Sequence, residues 1–85
     1  SGNYYLRFEV KDKPGVLGKI TNVLGENKIS IESVIQKGQE PGGDVQVVMM
    51  THEAIEKDLK NSLKTIKRFS FVNSSPSFIR IENLN

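Results

Sequence analysis

The chain has 85 residues, 36% of them hydrophobic and 26% charged, with 12 basic against 10 acidic side chains and a net charge of +2. That length holds one small domain and not two, and the interspersed signs lack the single basic face of a nucleic-acid binder. The absence of cysteine excludes disulfides, thiol nucleophiles and cysteine-based zinc sites and fits a reducing cytoplasm.

No apolar run approaches the ~20 residues that span a bilayer, and no charged-then-apolar leader opens the chain. Ser1-Gly2 reads as a cloning remnant, so residues 1–3 are taken as tag or linker. From Tyr4 the pattern alternates: Tyr4, Leu6, Phe8 and Val10 on one side, Tyr5, Arg7, Glu9 and Lys11 on the other. Period two is the signature of a half-buried strand. Asp12-Lys13-Pro14-Gly15 breaks it, and Val16, Leu17, Ile20, Val23 and Leu24 then form one stripe of an amphipathic helix. Pro14 fits the first helical position, where a missing N–H costs nothing. Gly25 to Lys28 should end this helix, with Asn27 expected in the left-handed conformation.

A second strand is expected over 29–37, with Ile29, Ile31, Ser33 and Ile35 facing one way and Ser30, Glu32, Val34 and Gln36 the other. Gly38 to Gly43, with Pro41 inside, reads as a loop. Asp44 to Thr51 carries Val45, Val47, Val48, Met49 and Met50, a strand apolar on both faces. Thr51 is placed as the N-cap of a second helix from His52 to about Arg68, with Ile55, Leu59, Leu63 and Ile66 inward. Glu56 and Lys60 stand at i,i+4 on its exposed side. Lys57, Lys60, Lys64, Lys67 and Arg68, the densest basic cluster, read as a solvated helix face. A last strand over 71–82 is interrupted near Ser74-Ser75-Pro76.

The order is βαββαβ. Two split βαβ units intercalating by right-handed crossovers give an α+β, ferredoxin-like fold: a four-stranded antiparallel sheet with two helices on one face. The bare face is expected to carry Tyr5, Val34, Val48, Met50 and Phe78 beside Arg7, Glu32 and Arg80, and so to need a cover.

Fold decides no function. His52, the only histidine, has just Glu53 and Glu56 nearby in sequence, and two ligands make a poor metal site. No nucleophile–base set stands out among Ser30, Ser33 and Thr51. An acylphosphatase needs an arginine in the first loop, which here reads DKPGVL; an RNA-recognition motif needs stacking aromatics where DVQVVMMT has none. Neither catalytic nor metal-ligating residues are therefore assigned. The informative segment is Asp12 to Leu17. The amides of Gly15, Val16 and Leu17 begin a helix without intrahelical partners, at its positive end, beside a glycine that admits close approach. A carboxylate or phosphate fits there; an ordinary strand-to-helix turn is the alternative.

DKPGVLGKITNVLGENKISIESVIQKG resembles the opening of ACT domains, regulatory modules that bind amino acids. VVMMTHEAIEKDL and FIRIE extend the resemblance to the C-terminal ACT domain of bacterial homoserine dehydrogenases, over residues 4–82, with 83–85 as a tail. The resemblance implies pairing of two copies through second-strand edges. An effector would lie between Asp12, Gly15, Val16 and Leu17 of one copy and Asn27, Ile29, Ser30 and Ile31 of the other. Threonine is the effector it implies, sensed for an NAD(P)-dependent enzyme whose catalytic domains, interconverting aspartate semialdehyde and homoserine, lie upstream; this fragment itself is expected to hold no cofactor. Each residue also has a plainer role: Asn27 ends a helix, Ser30 faces outward from a strand, Asp12 caps the first helix. Gln36 is a weaker candidate and Lys13 a solvated one. The competing reading is an ACT module that serves dimerisation and binds no effector.

Overall fold

A computed structural model describes residues 2–38 and 43–81. Its elements are β1 (Asn3–Lys11), α1 (Val16–Glu26), β2 (Ile31–Gly38), β3 (Asp44–Thr51), α2 (Glu56–Ile66) and β4 (Ser77–Ile81). The strands form one antiparallel sheet in the order β2-β3-β1-β4, the ferredoxin-like arrangement expected from the sequence. Neither helix is long or apolar enough to cross a membrane. The expected loop residues 39–42, the end of the last strand at Glu82 and the 83–85 tail lie outside the described residues.

The core follows the alternation of β1. Tyr4, Leu6, Phe8 and Val10 are all buried and pack with Val45, Val47 and Met49 of β3. Val16, Ile20, Val23 and Leu24 of α1, and Leu59, Leu63 and Ile66 of α2, close over them. Full burial of such side chains stabilises by roughly 1.5–3 kcal/mol each, so a single layer of this kind suffices for a small domain. Phe78 meets Tyr4 edge-to-face at 5.9 Å between ring centroids.

Several local expectations change. Helix α1 starts at Val16, not at Pro14: Gly15 is its N-cap with φ +84°, and Pro14 lies in the preceding turn. At the other end Lys28 (φ 65°), not Asn27, is left-handed. The Lys28 N–H bonds the Gly25 carbonyl and the Ile29 N–H the Leu24 carbonyl, a Schellman ending in which buried Ile29 covers buried Leu24. That ending consumes Ile29 and Ser30, so β2 begins at Ile31.

Thr51 does not cap α2. It is the last residue of β3, fully buried, and its Oγ1 accepts the Tyr4 N–H at 3.0 Å. The chain then turns through His52–Ile55, Ala54 bridges to Gly2, and α2 starts at Glu56. Ile55 is consequently 57% exposed, and Ala54 and Ser62 join the buried set instead. The last strand is split. Val72 bridges Val10, the Lys11 N–H bonds the Phe71 carbonyl and the Asn73 N–H the Glu9 carbonyl; β1 pairing then resumes with Ser77 opposite Arg7.

A bulge in β2 alters which residues share a face. Ile31 is opposite Thr51 but Ser33 is opposite Met50, leaving Glu32 as the extra residue. Beyond it Val34 and Gln36 align with Met49 and Val47 on the helix side, while Ser33, Ile35 and Lys37 turn to the bare face. Phe78 and Arg80, opposite Leu6 and Tyr4, also lie on the helix side. The bare face therefore carries Tyr5, Ile35, Val48, Met50 and Ile79, without the expected Val34 and Phe78.

The cavity at the start of helix α1

The first loop is shaped by three backbone bonds. The Lys13 N–H closes a tight turn onto the Lys11 carbonyl, the Asp12 N–H bonds the Gly43 carbonyl at 3.0 Å, and the Val16 N–H reaches the Lys13 carbonyl at 3.3 Å. Gly15 alone can take the left-handed step that follows Pro14 without a Cβ penalty. The helix then opens with no side-chain cap and no acidic residue in its first turn. Asp12, exposed, does not cap it.

Of the three amides singled out from sequence, Val16 is satisfied within the turn. Those of Gly15, Leu17 and Gly18 have no backbone or side-chain acceptor among the described residues. They stand at the rim of a cavity of about 110 Å³, room for several waters where one needs about 10–15 Å³. Val10, Val45 and Val47 form its floor, and Lys11, Asp12 and Lys13 part of its rim. Unpaired N–H groups, a positive helix end and two lysines favour a carboxylate; one aspartate offers an ammonium its counter-charge.

Gln36 also lines this cavity. Sequence reasoning ranked it low because unbroken alternation leaves the register of β2 undetermined. The bulge at Glu32 sets that register and puts the Gln36 amide, with two donors and an acceptor, beside the α1 start.

The second group does not join the first within one chain. The eleven residues of α1, Val16–Glu26, separate Gly15 from Asn27, about 16 Å of rise, and Ile29, Ser30 and Ile31 follow at that far end. Asn27 Nδ2 donates to the Val23 carbonyl at 2.9 Å, its helix-ending role. Ile29 is buried in the core, leaving only its backbone to offer. Ser30 is exposed, and its carbonyl accepts the His52 N–H at 2.9 Å. Only a second copy could bring this group to the cavity, and the β2 edge that would meet such a copy has no strand partner among the described residues, with seven of its eight residues exposed.

His52 lies outside α2, with Nδ1 3.9 Å from Glu32 Oε2, so it shares no helix face with Glu56.

Known proteins place this architecture. The chain is 36% identical to homoserine dehydrogenase of Neisseria gonorrhoeae over 85 residues, covering all of this chain and 20% of that protein. With the enzyme of Pseudomonas aeruginosa the identity is 37%, over 96% of this chain and 19% of that one. The structure of a homoserine dehydrogenase from Thiobacillus denitrificans superposes with a TM-score of 0.88 at 32% identity, across 99% of this chain and 18% of the larger one. This chain thus spans about a fifth of the relatives it matches. The regulatory subunit of aspartate kinase from Thermus thermophilus shares the fold, with a TM-score of 0.72 at 15% identity. The ACT domain model matches residues 4–71, and the chain belongs to the ACT domain family.

Proposed function

We propose that this chain is the amino-acid-sensing domain of a homoserine dehydrogenase and that threonine is its effector. The observation that carries the reading is the row of unpartnered amides at Gly15, Leu17 and Gly18, opening onto a cavity that also presents Gln36. The effector's carboxylate takes the Leu17 and Gly18 N–H groups. Asp12 faces its ammonium, and Gln36 hydrogen-bonds a side-chain hydroxyl. Two copies pair through their β2 edges, and the partner subunit's Asn27, Ile29, Ser30 and Ile31 complete the pocket. The enzyme is cytoplasmic, and interconversion of aspartate semialdehyde and homoserine with NAD(P) is carried by other domains of the parent. Binding controls the parent if effector affinity differs between two of its states.

Calorimetric titration of the chain with threonine and with the other amino acids tests this. Millimolar or tighter binding of threonine, lost in Gln36→Leu while the fold is retained, supports it. Silence with every amino acid favours the second reading, a dimerisation module, for which the unpaired β2 edge is the motivating feature. Sedimentation of that silent protein as a dimer would then complete the case for it.

A further inference from the structure

At the other edge of the sheet a second feature stands apart from the amino-acid site. Among the described residues β4 is an edge strand, bonded only to β1, so alternate N–H and C=O groups along 77–81 point outward without a described strand to meet them. Beside it runs a groove of about 290 Å³. One wall is Lys60 and Lys64 of α2 with its C-cap Lys67, at i, i+4 and i+7; the floor is Leu63, Pro76 and Phe78. Among the described residues no carboxylate lines the groove. Lys60 pairs with Glu56 at 3.3 Å, but Lys64 and Lys67 have no ion-pair partner among the described residues. The C-terminal end of a helix carries roughly half a negative charge, which Lys64 alone outweighs. Arg68 follows directly, and Arg80 shares the Phe78 face of β4. Edge strands are commonly protected by charges of their own; β4 carries only Arg80, its Ile79 is 64% exposed, and the lysines sit on the helix above.

We propose that this edge and its lysine wall form a docking site for an acidic extended segment of a partner protein, which joins the sheet as a fifth strand beside β4. The strand supplies main-chain bonds, and side chains on its helix side alternate with the pleat. One apolar residue seats on Leu63, Pro76 and Phe78 while carboxylates two positions to either side, on the same face of the strand, meet Lys64 and Lys67. A compact phosphorylated ligand would satisfy the lysines but not the strand edge, which is why a peptide is the better occupant.

The test is an NMR titration of the chain with a capped seven-residue peptide, Thr-Glu-Thr-Val-Thr-Glu-Thr, the length of an ordinary strand, in which the valine and both glutamates share one face. Expected are shifts across 60–67 and 77–81 together, slowed hydrogen exchange of outward β4 amides, and weakening of about tenfold or more on raising salt to ~0.5 M. Lys64→Glu/Lys67→Glu should weaken binding at least about tenfold, with an unchanged circular dichroism spectrum showing that the variant folds. The proposal is overturned by no binding, by shifts confined to the lysines, by equal affinity for a proline-interrupted peptide that cannot pair, or by displacement of the peptide by inorganic phosphate at equal concentration.

Discussion

The two left-handed residues bracket α1, and their side chains make opposite demands on stability. At Gly15 (φ +84°) an added Cβ would meet nothing within 4 Å, so Gly15→Ala creates no clash and isolates the backbone cost. That cost is about 1–2 kcal/mol for an L-residue in this region. Stiffening the unfolded chain returns roughly 0.4–1 kcal/mol, for a net loss of about 1 kcal/mol. A domain of this size should then melt about 4–8 °C lower. Gly18→Ala is the same chemical change three residues on, also into open space but inside the helix, where alanine is favoured by about 0.5–1 kcal/mol. Lys28→Gly should stabilise by up to about 1 kcal/mol, because the Schellman position at φ 65° suits glycine. Thermal and urea unfolding followed by circular dichroism measure all three. If Gly15→Ala and Gly18→Ala move stability in the same direction, the left-handed N-cap, and with it the orientation of the free amides, is wrong.

Thr51→Val keeps the shape of a buried side chain but removes the acceptor of the Tyr4 N–H. It should cost about 1–3 kcal/mol in urea unfolding, whereas Thr51→Ser should retain most of that stability. Glu56→Gln breaks an i,i+4 pair whose side chains are about half exposed and should change stability by no more than ~0.5 kcal/mol; a larger loss would mean the pair is less screened than its exposure implies.

The elements with clean periodicity were legible without coordinates. β1 alternates because one of its faces is core, and α1 shows its stripe because a single face meets the sheet. The errors came where a tertiary demand overrode a local signal. Thr51 before an apolar stripe has the composition of a helix cap, yet the Tyr4 amide in the core needs its hydroxyl. Asn27 is a good left-handed residue, yet the pairing of Ile29 over Leu24 fixes the turn one position later, on Lys28. The bulge at Glu32 left no trace in composition, because polar and branched residues alternate equally well in either register. That hidden step cost the bare-face assignment of Val34 and the ranking of Gln36. The first loop was the reverse case: Pro-Gly ahead of an apolar stripe signalled a helix start with open amides, and the chain forms one there. The far group, from Asn27 to Ile31, resembled a binding segment only through family likeness, and one chain holds it some 16 Å of helix rise away.

The split ending of the chain has a mechanical consequence. Because Phe71 and Asn73 are tied to β1 independently of β4, fraying of the C-terminal strand can stop at Ser77 without loosening Lys11 and Asp12. Local opening events in proteins follow such cooperative seams. A pull on β4 would therefore peel its five residues from one half of β1 before it strained the other half, next to the rim where the helix amides stand.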